Sequence, residues 1–231
     1  FSPFVKPKMY GNGCIFSFYE NYRIPIDNHI TMCYYHITTK EVSTLMKWTI
    51  PGTVLKGETE AAEHIRQQME SMFLGGGMVL SQVCSVTGLE PYAVQNWVKR
   101  GFLTPPQAKR YTLRQLCRII NINMLKGVLP MAQLCGMLTY INGSLSDESD
   151  DLIDDSQLYF MFVKLAARAR EIDRSGRWLD AVDKVLEGYQ EPIPGAKERI
   201  AKVLRIMIIS FIAARMKDQA EELMGQLVVE S

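Results

Sequence analysis

Two short amphipathic segments, separated by a glycine and a proline, constrain this chain more than any other feature of its sequence. The first segment, Leu80–Thr87, is followed by Gly88, and glycine adopts a left-handed backbone at little cost. Pro91 then stands where the first turn of a helix accepts proline, and the second segment, Tyr92–Arg100, stops at Gly101. This order is typical of a helix-turn-helix.

The second segment divides into an apolar face and a polar face. Val94, Trp97 and Val98 recur at helical spacing and are predicted to face the core. The other side chains are amides, cations and a phenol, and such groups read base edges and hold phosphates in DNA complexes. These candidate contacts are Tyr92, Gln95, Asn96, Lys99 and Arg100.

The sequence after this helix predicts a small wing in a basic region. Residues 102–111 are too few for a helix and contain a Pro-Pro pair, so they suit a hairpin that presents Lys109 and Arg110. Residues 78–127 carry seven bases and one acid, a local charge of +6 in a chain of net charge +1. A basic region in a near-neutral chain is expected of a protein that binds a polyanion. A capping box, Thr112 with Gln115, predicts that a long apolar helix follows the wing.

The motifs of this region resemble two known families. T-G-L-E-P-Y-A-V-Q-N-W-V-K-R-G-F-L, followed by K-R-Y-T and a long apolar helix, resembles the start of a MerR-type winged helix-turn-helix. Residues from about 48 to 142 resemble a family from Gram-positive bacteria known only as a domain of unknown function. The shared pieces are L-x-P-P before K-R-Y-T and the helix I-I-N-I-N-M-L-K.

The MerR resemblance implies a dimer whose recognition helix and wing touch duplex DNA. On the matching positions it implies helix contacts by Gln95, Asn96, Lys99 and Arg100 and a wing contact by Arg110.

The flanking regions predict a fold that is mainly α. Residues 1–57 are rich in aromatic and β-branched residues, which predicts a short N-terminal β or irregular segment. Residues 58–143 are assigned to a MerR-like winged helix-turn-helix domain. Residues 144–231 are assigned to an acidic linker and a C-terminal helical bundle. Within that last part, residues 144–155 carry six acids and no base, which is typical of a solvated linker.

The last predicted helix, from about residues 195 to 228, is apolar around most of its girth. Its stripe runs from Ile200 to Ile212, and further isoleucines cover other faces. Such a helix is either the centre of a bundle or pairs with a second subunit. We expect a homodimer through the C-terminal helices.

The sequence offers weak support for catalysis or metal binding. His29, Cys33 and His36 would share one face of a helix, but on the aromatic, β-branched strand predicted here His36 points away from the other two. We therefore predict no catalytic residue, no metal and no cofactor, and a protein that is not an enzyme. Three features favour a cytoplasmic protein away from membranes. The five cysteines include no C-x-x-C pair, no signal peptide is visible, and the longest charge-free run in the last helix is nine residues.

These observations predict a DNA-binding transcriptional regulator that contacts duplex DNA through the helix at residues 92–100 and the wing at residues 102–111, as a dimer. The alternative is a non-catalytic interaction or scaffold module built on a degenerate helix-turn-helix. The outward face of the helix distinguishes them, because a protein-docking face would expose apolar side chains. The sequence assigns no small-molecule effector.

Overall fold

The computed structural model describes residues 48–57, 64–145, 147–169 and 178–229. These residues are mainly helical, as predicted. Together they contain eight α-helices, numbered here in chain order: α1 Ile65–Ser71, α2 Leu80–Thr87, α3 Pro91–Lys99, α4 Leu113–Leu125, α5 Met131–Asn142, α6 Asp155–Ala167, α7 Trp178–Val185 and α8 Ala196–Val229.

Helix α4 lies at the centre of the packing. It contacts α2, α5, α6 and α8, and ten of its thirteen residues are buried. Its start is the predicted capping box, since the Gln115 backbone N–H donates to the Thr112 hydroxyl (3.2 Å) and the Gln115 side chain accepts from the Thr112 N–H (2.9 Å). Eight of its thirteen residues are apolar, and the buried polar residues Gln115, Arg118 and Asn121 stand among them.

The turn between α2 and α3 agrees with the residues that predicted it. Gly88 has a φ of +68° and its N–H donates to the Cys84 carbonyl (2.8 Å), which ends α2. Pro91 occupies the first turn of α3, where its missing N–H costs nothing. The Asn123 amide of α4 donates to the Thr87 carbonyl (3.0 Å) and so fixes the end of α2 on the core.

Extended backbone among the described residues is limited to short antiparallel bridges. Thr49 pairs with Lys56, and Met78 pairs with Tyr111. The predicted β segment at residues 1–57 lies mostly outside the described residues, which begin at residue 48.

Helices α6 and α7 pack together with the first half of α8. Contacts join α6 to α7 and α8, and α8 also contacts α4 and α5. Ile200, Leu204 and Met207 are completely buried by this packing, so much of the stripe that suggested a dimer belongs to the core of one chain. One face of the first half of α8 thus belongs to the core, while Ile206 and Ile209 on its other face are exposed. Within the described part of the chain, no helix has the length and apolar character to cross a membrane.

Residues 102–111, the segment predicted as a wing and called the wing below, contain a tight turn with an unusual backbone. Gln107 bridges Arg110, whose N–H donates to the Gln107 carbonyl (2.8 Å). The two residues between them, Ala108 and Lys109, have φ values of +47° and +62°. Left-handed backbone at both central positions matches the right-handed twist of a hairpin, but it is normally occupied by asparagine and glycine.

Replacing Ala108 with asparagine should therefore stabilise the protein. Asparagine tolerates the left-handed region better than alanine, so we expect Ala108→Asn to raise the free energy of unfolding by about 0.5–1 kcal/mol. Urea denaturation followed by circular dichroism measures this change. The control Ala214→Asn, inside α8, should instead lower stability by about 0.5 kcal/mol. A decrease for Ala108→Asn would contradict the turn geometry.

Candidate nucleic-acid interface

The polar face of α3 is exposed as the sequence predicts. Tyr92 is 73 % exposed, and the four side chains of Gln95, Asn96, Lys99 and Arg100 are also exposed. On the other face, Val94 is completely buried, Trp97 is 6 % exposed and Val98 is half-buried. All five candidate contacts on this helix therefore stand on one solvent-facing surface.

The end of α3 is joined to the start of the wing by aromatic contacts. The Arg100 guanidinium lies over the Phe102 ring at 4.6 Å from its centroid, and the Phe102 N–H donates to the Trp97 carbonyl (2.9 Å). The Lys126 ammonium lies 5.6 Å from the centroid of the Trp97 ring. These contacts hold Arg100 beside the wing root while its charge stays exposed.

The wing is held in place by hydrogen bonds to residues outside its own sequence. The Arg110 guanidinium donates to the Gly77 carbonyl (2.9 Å), and Tyr111 exchanges two backbone hydrogen bonds with Met78 at 2.7 and 3.0 Å. At the wing root, the Gln115 amide donates to the Thr104 carbonyl (3.0 Å) and the Pro105 carbonyl (3.1 Å). Lys109 and Arg110 are exposed, so both predicted wing cations are accessible to a ligand.

The acidic segment, residues 147–155, is not the solvated linker that its composition predicts. Asp151 pairs with Arg114, and Glu148 lies 3.1 Å from the same guanidinium. Asp155 pairs with Arg118 at 3.1 Å, and both of these side chains are at least 96 % buried. The segment is therefore bound to one side of α4 by ion pairs.

These ion pairs correct the count of surface bases. Arg114 and Arg118 face carboxylates inside the fold and do not contribute to a basic surface. The other five bases of residues 78–127 remain exposed: Lys99, Arg100, Lys109, Arg110 and Lys126. In the described part of the chain no carboxylate lies within ion-pair distance of Lys99, Arg100, Lys109 or Arg110.

The buried Arg118 also links the acidic segment to the wing. Its Nε donates to the Phe102 carbonyl (3.0 Å) while its Nη1 donates to the Asp155 carboxylate (3.1 Å). Burial raises the pKa of the Asp155 carboxyl, and the neighbouring Arg118 guanidinium opposes that rise. Sequence patterns did not identify this role for Arg118. The available signal was that two arginines four residues apart on an apolar helix need acidic partners.

Other chemistry has little support in the described residues. In those residues no three His, Cys, Asp or Glu side chains are grouped to hold a metal ion, and the alternative set of His29, Cys33 and His36 lies outside them. Burial raises the pKa of the Cys84, Cys117 and Cys135 thiols, which disfavours the reactive thiolate. A cavity of about 480 Å³ lies beside the acidic segment, lined by residues that include Arg114, Asp151, Gln157 and Tyr189.

Comparison with known proteins finds one family model that matches part of the chain. Residues 78–162 match a family described as "Domain of unknown function (DUF1836)". This match covers α2 to most of α6 and therefore includes both Arg118 and Asp155.

The chain is also similar to "Uncharacterized protein YkrK" of Bacillus subtilis (strain 168), with 30 % identity over 84 residues. The aligned region is 35 % of this chain and about a third (36 %) of that relative's length. No solved structure matches the chain.

The Arg118–Asp155 pair can be tested by removing one partner. Asp155→Ala leaves a buried guanidinium without its countercharge, so we expect a loss of about 3–5 kcal/mol in the free energy of unfolding. The double variant Arg118→Met with Asp155→Leu should recover most of that loss, because it removes both charges. Asp183→Ala breaks an exposed pair with Arg205 (3.8 Å) and should cost less than about 1 kcal/mol. Equal losses for the two aspartate variants would contradict a buried ion pair.

Proposed function

We propose that residues 78–127 bind duplex DNA, with α3 in the major groove and the wing on the neighbouring backbone. The supporting observation is the exposed face of α3, which offers two amides and two cations beside a buried apolar face. Four of the six acids in residues 147–155 pair with Arg114 or Arg118, and no described carboxylate lies within ion-pair distance of the α3 cations Lys99 and Arg100. We further propose that the fold is a MerR-like winged helix-turn-helix and that the protein regulates transcription as a homodimer.

The proposal gives each exposed side chain a distinct role. Gln95 and Asn96 would read base edges, since an amide can pair with two adjacent atoms of adenine. Lys99 and Arg100 would hold phosphates at the end of the helix, and Arg110 would do so from the wing. The bond from Arg110 to the Gly77 carbonyl supports this role, because it fixes one guanidinium nitrogen and leaves the exposed remainder for a phosphate.

Removing the phosphate contacts should weaken binding in a salt-dependent way. For the triple variant Lys99→Ala, Arg100→Ala and Arg110→Ala, we expect the slope of log K against log salt to become shallower by about 2.7. At about 0.1 M salt this corresponds to a loss of affinity of about 500-fold. Fluorescence anisotropy with a labelled duplex at several salt concentrations measures both quantities.

A triple variant outside α3 and the wing provides the matched control. Lys56, Lys184 and Lys202 are exposed and lie outside α3 and the wing, and replacing them with alanine removes the same total charge. We expect this variant to bind DNA as the parent does. Equal effects of the two triple variants would indicate a general charge effect and would refute the assigned surface.

Replacing an amide side chain of α3 should change the sequence specificity of DNA binding and leave the slope of log K against log salt unchanged. Asn96→Ala should lower discrimination at one base pair by about 1–3 kcal/mol, because it removes a bidentate base contact. Selection of bound sequences from a random duplex pool, carried out with both proteins, measures this change. An unchanged sequence preference would exclude Asn96 from base recognition.

A protein-interaction module is the second candidate function. Its support is the 73 % exposure of the Tyr92 ring at the start of α3, since aromatic side chains are enriched in protein interfaces. Salt-independent binding, or no binding to any duplex in the selection experiment, would favour this function over DNA binding.

A further inference from the structure

The loop between α1 and α2 carries the most exposed large apolar side chain of the described residues. Leu74 is 88 % exposed, and the next in the described part of the chain is Tyr92 at 73 %. Three glycines follow Leu74, so no side chain of the next three residues can cover it. An apolar side chain held in water in this way gains free energy when another surface covers it. Residues 72–77 are called the Leu74 loop below.

The Leu74 loop is attached to the wing on the side away from α3. The Arg110 N–H donates to the Gln107 carbonyl (2.8 Å), and the next residue, Tyr111, exchanges hydrogen bonds with Met78. Neighbouring residues of an extended strand direct their backbone groups to opposite sides. The second arm of the wing, residues 110–111, therefore lies between the first arm and the end of the Leu74 loop. Since α3 leads directly into the first arm, the order is α3, first arm, second arm, Leu74 loop.

This order places the Leu74 loop beside a minor groove. The placement rests on the proposed function, in which α3 lies in the major groove and the wing on the neighbouring backbone. In duplex DNA, that backbone separates the major groove from the next minor groove. A loop that continues the surface beyond the wing therefore faces the minor groove.

The charges around the Leu74 loop are compatible with DNA. Residues 71–89 contain no acid and no base, and the acid that precedes them, Glu70, pairs with Arg66 at 2.8 Å. On the other side of the loop the exposed Arg110 guanidinium donates to the Gly77 carbonyl (2.9 Å). An apolar side chain next to a cation is a combination that proteins use in the minor groove, where the apolar side chain contacts base steps.

The backbone of the loop is bare, which suits a narrow groove. Gly75 does not have a positive φ, and a Cβ atom there would have no neighbour within 4 Å. Neither backbone conformation nor packing within the described residues therefore requires glycine at this position. A backbone without side chains can approach another molecule closely, and the minor groove is only about 6 Å wide.

The size of the apolar surface favours DNA over a protein partner. A stable protein interface covers about 800 Å² on each partner. Here one leucine protrudes from bare glycines, and the neighbouring Met72 and Val79 are only 39 % and 36 % exposed. Three side chains offer far less apolar surface than a protein interface needs, whereas a single inserted side chain is sufficient for a groove contact.

We infer that Leu74 enters the minor groove beyond the wing, contacts base edges there, and favours A·T pairs. The preference follows from the amino group of guanine, which is a hydrogen-bond donor in the minor groove. A leucine that covers this donor leaves it without a partner, and an A·T pair has no such group. Leu74 thus adds a minor-groove contact to the major-groove contacts proposed for Gln95 and Asn96.

Replacing Leu74 tests the contact. We expect Leu74→Ser to raise the dissociation constant for duplex DNA about 10-fold, because a buried leucine is lost. The slope of log K against log salt should not change, since leucine neutralises no phosphate. Fluorescence anisotropy of the full chain, with a labelled duplex recovered from the random pool, measures both quantities.

Ile193→Ser provides the matched control. Ile193 is 50 % exposed between α7 and α8, and its replacement should leave DNA binding as in the parent. Thermal melts confirm that both variants fold. Equal dissociation constants for the parent and Leu74→Ser, or equal losses in the two variants, would overturn this inference alone. A parent that binds no duplex would overturn the proposed function and this inference with it.

Inosine in place of guanine tests the groove. An I·C pair lacks the minor-groove amino group of G·C and has the same major-groove edge. We expect I·C in place of G·C, about five base pairs or half a turn from the centre of the α3 site, to tighten binding of the parent about five-fold or more. Leu74→Ser should gain nothing. Equal gains for both proteins, or no gain for the parent, would overturn the assigned contact.

Discussion

The buried ion pair between Arg118 and Asp155 holds together parts of the protein that are distant in sequence. Arg118 lies on the central helix α4, and Asp155 begins α6, 37 residues later. The same guanidinium donates to the Phe102 carbonyl at the wing root. Since neither charge has access to water, each is stable in the fold only because of the other. One buried guanidinium therefore contacts both the wing and the acidic segment, in addition to the bonds that Gln115 makes to the wing and the ion pairs that Arg114 makes to the acidic segment.

This arrangement separates two groups of bases that look alike in the sequence. Arg114 and Arg118 are structural and are neutralised by the acidic segment. Lys99 and Arg100 on α3 stay exposed. An acidic run next to a proposed DNA-binding surface would ordinarily repel DNA, but here much of its charge is directed at α4. The region that matches the family, residues 78–162, contains both sides of this arrangement.

The features predicted correctly from the sequence are those set by neighbouring residues. Gly88, Pro91 and the capping box at Thr112 each act on the backbone within one helical turn, so their effect is readable locally. The two faces of α3 follow in the same way from helical periodicity.

The features missed by the sequence depend on contacts between distant segments. From composition alone, residues 144–155 are predicted to be a solvated linker. Their acids pair with Arg114 and Arg118, and these two arginines are recognisable as partners only once α4 is packed. The Gln115 amide was predicted as a helix cap, yet it also holds Thr104 and Pro105. In α8, the buried Ile200, Leu204 and Met207 are distinguished from the exposed Ile206 and Ile209 only when the other helices are in place.

Gly77 lies close to the wing and limits where the wing can lie, although it stands outside residues 80–111. Gly77 has a φ of +101°, and a Cβ atom there would lie 2.9 Å from the Tyr111 carbonyl oxygen and 3.2 Å from the Arg110 Cβ. Any larger residue at this position would have to push the hairpin outward and move the Arg110 charge with it. The position of the wing thus depends on residue 77 having no side chain, although that residue lies more than thirty positions before Tyr111 in the sequence.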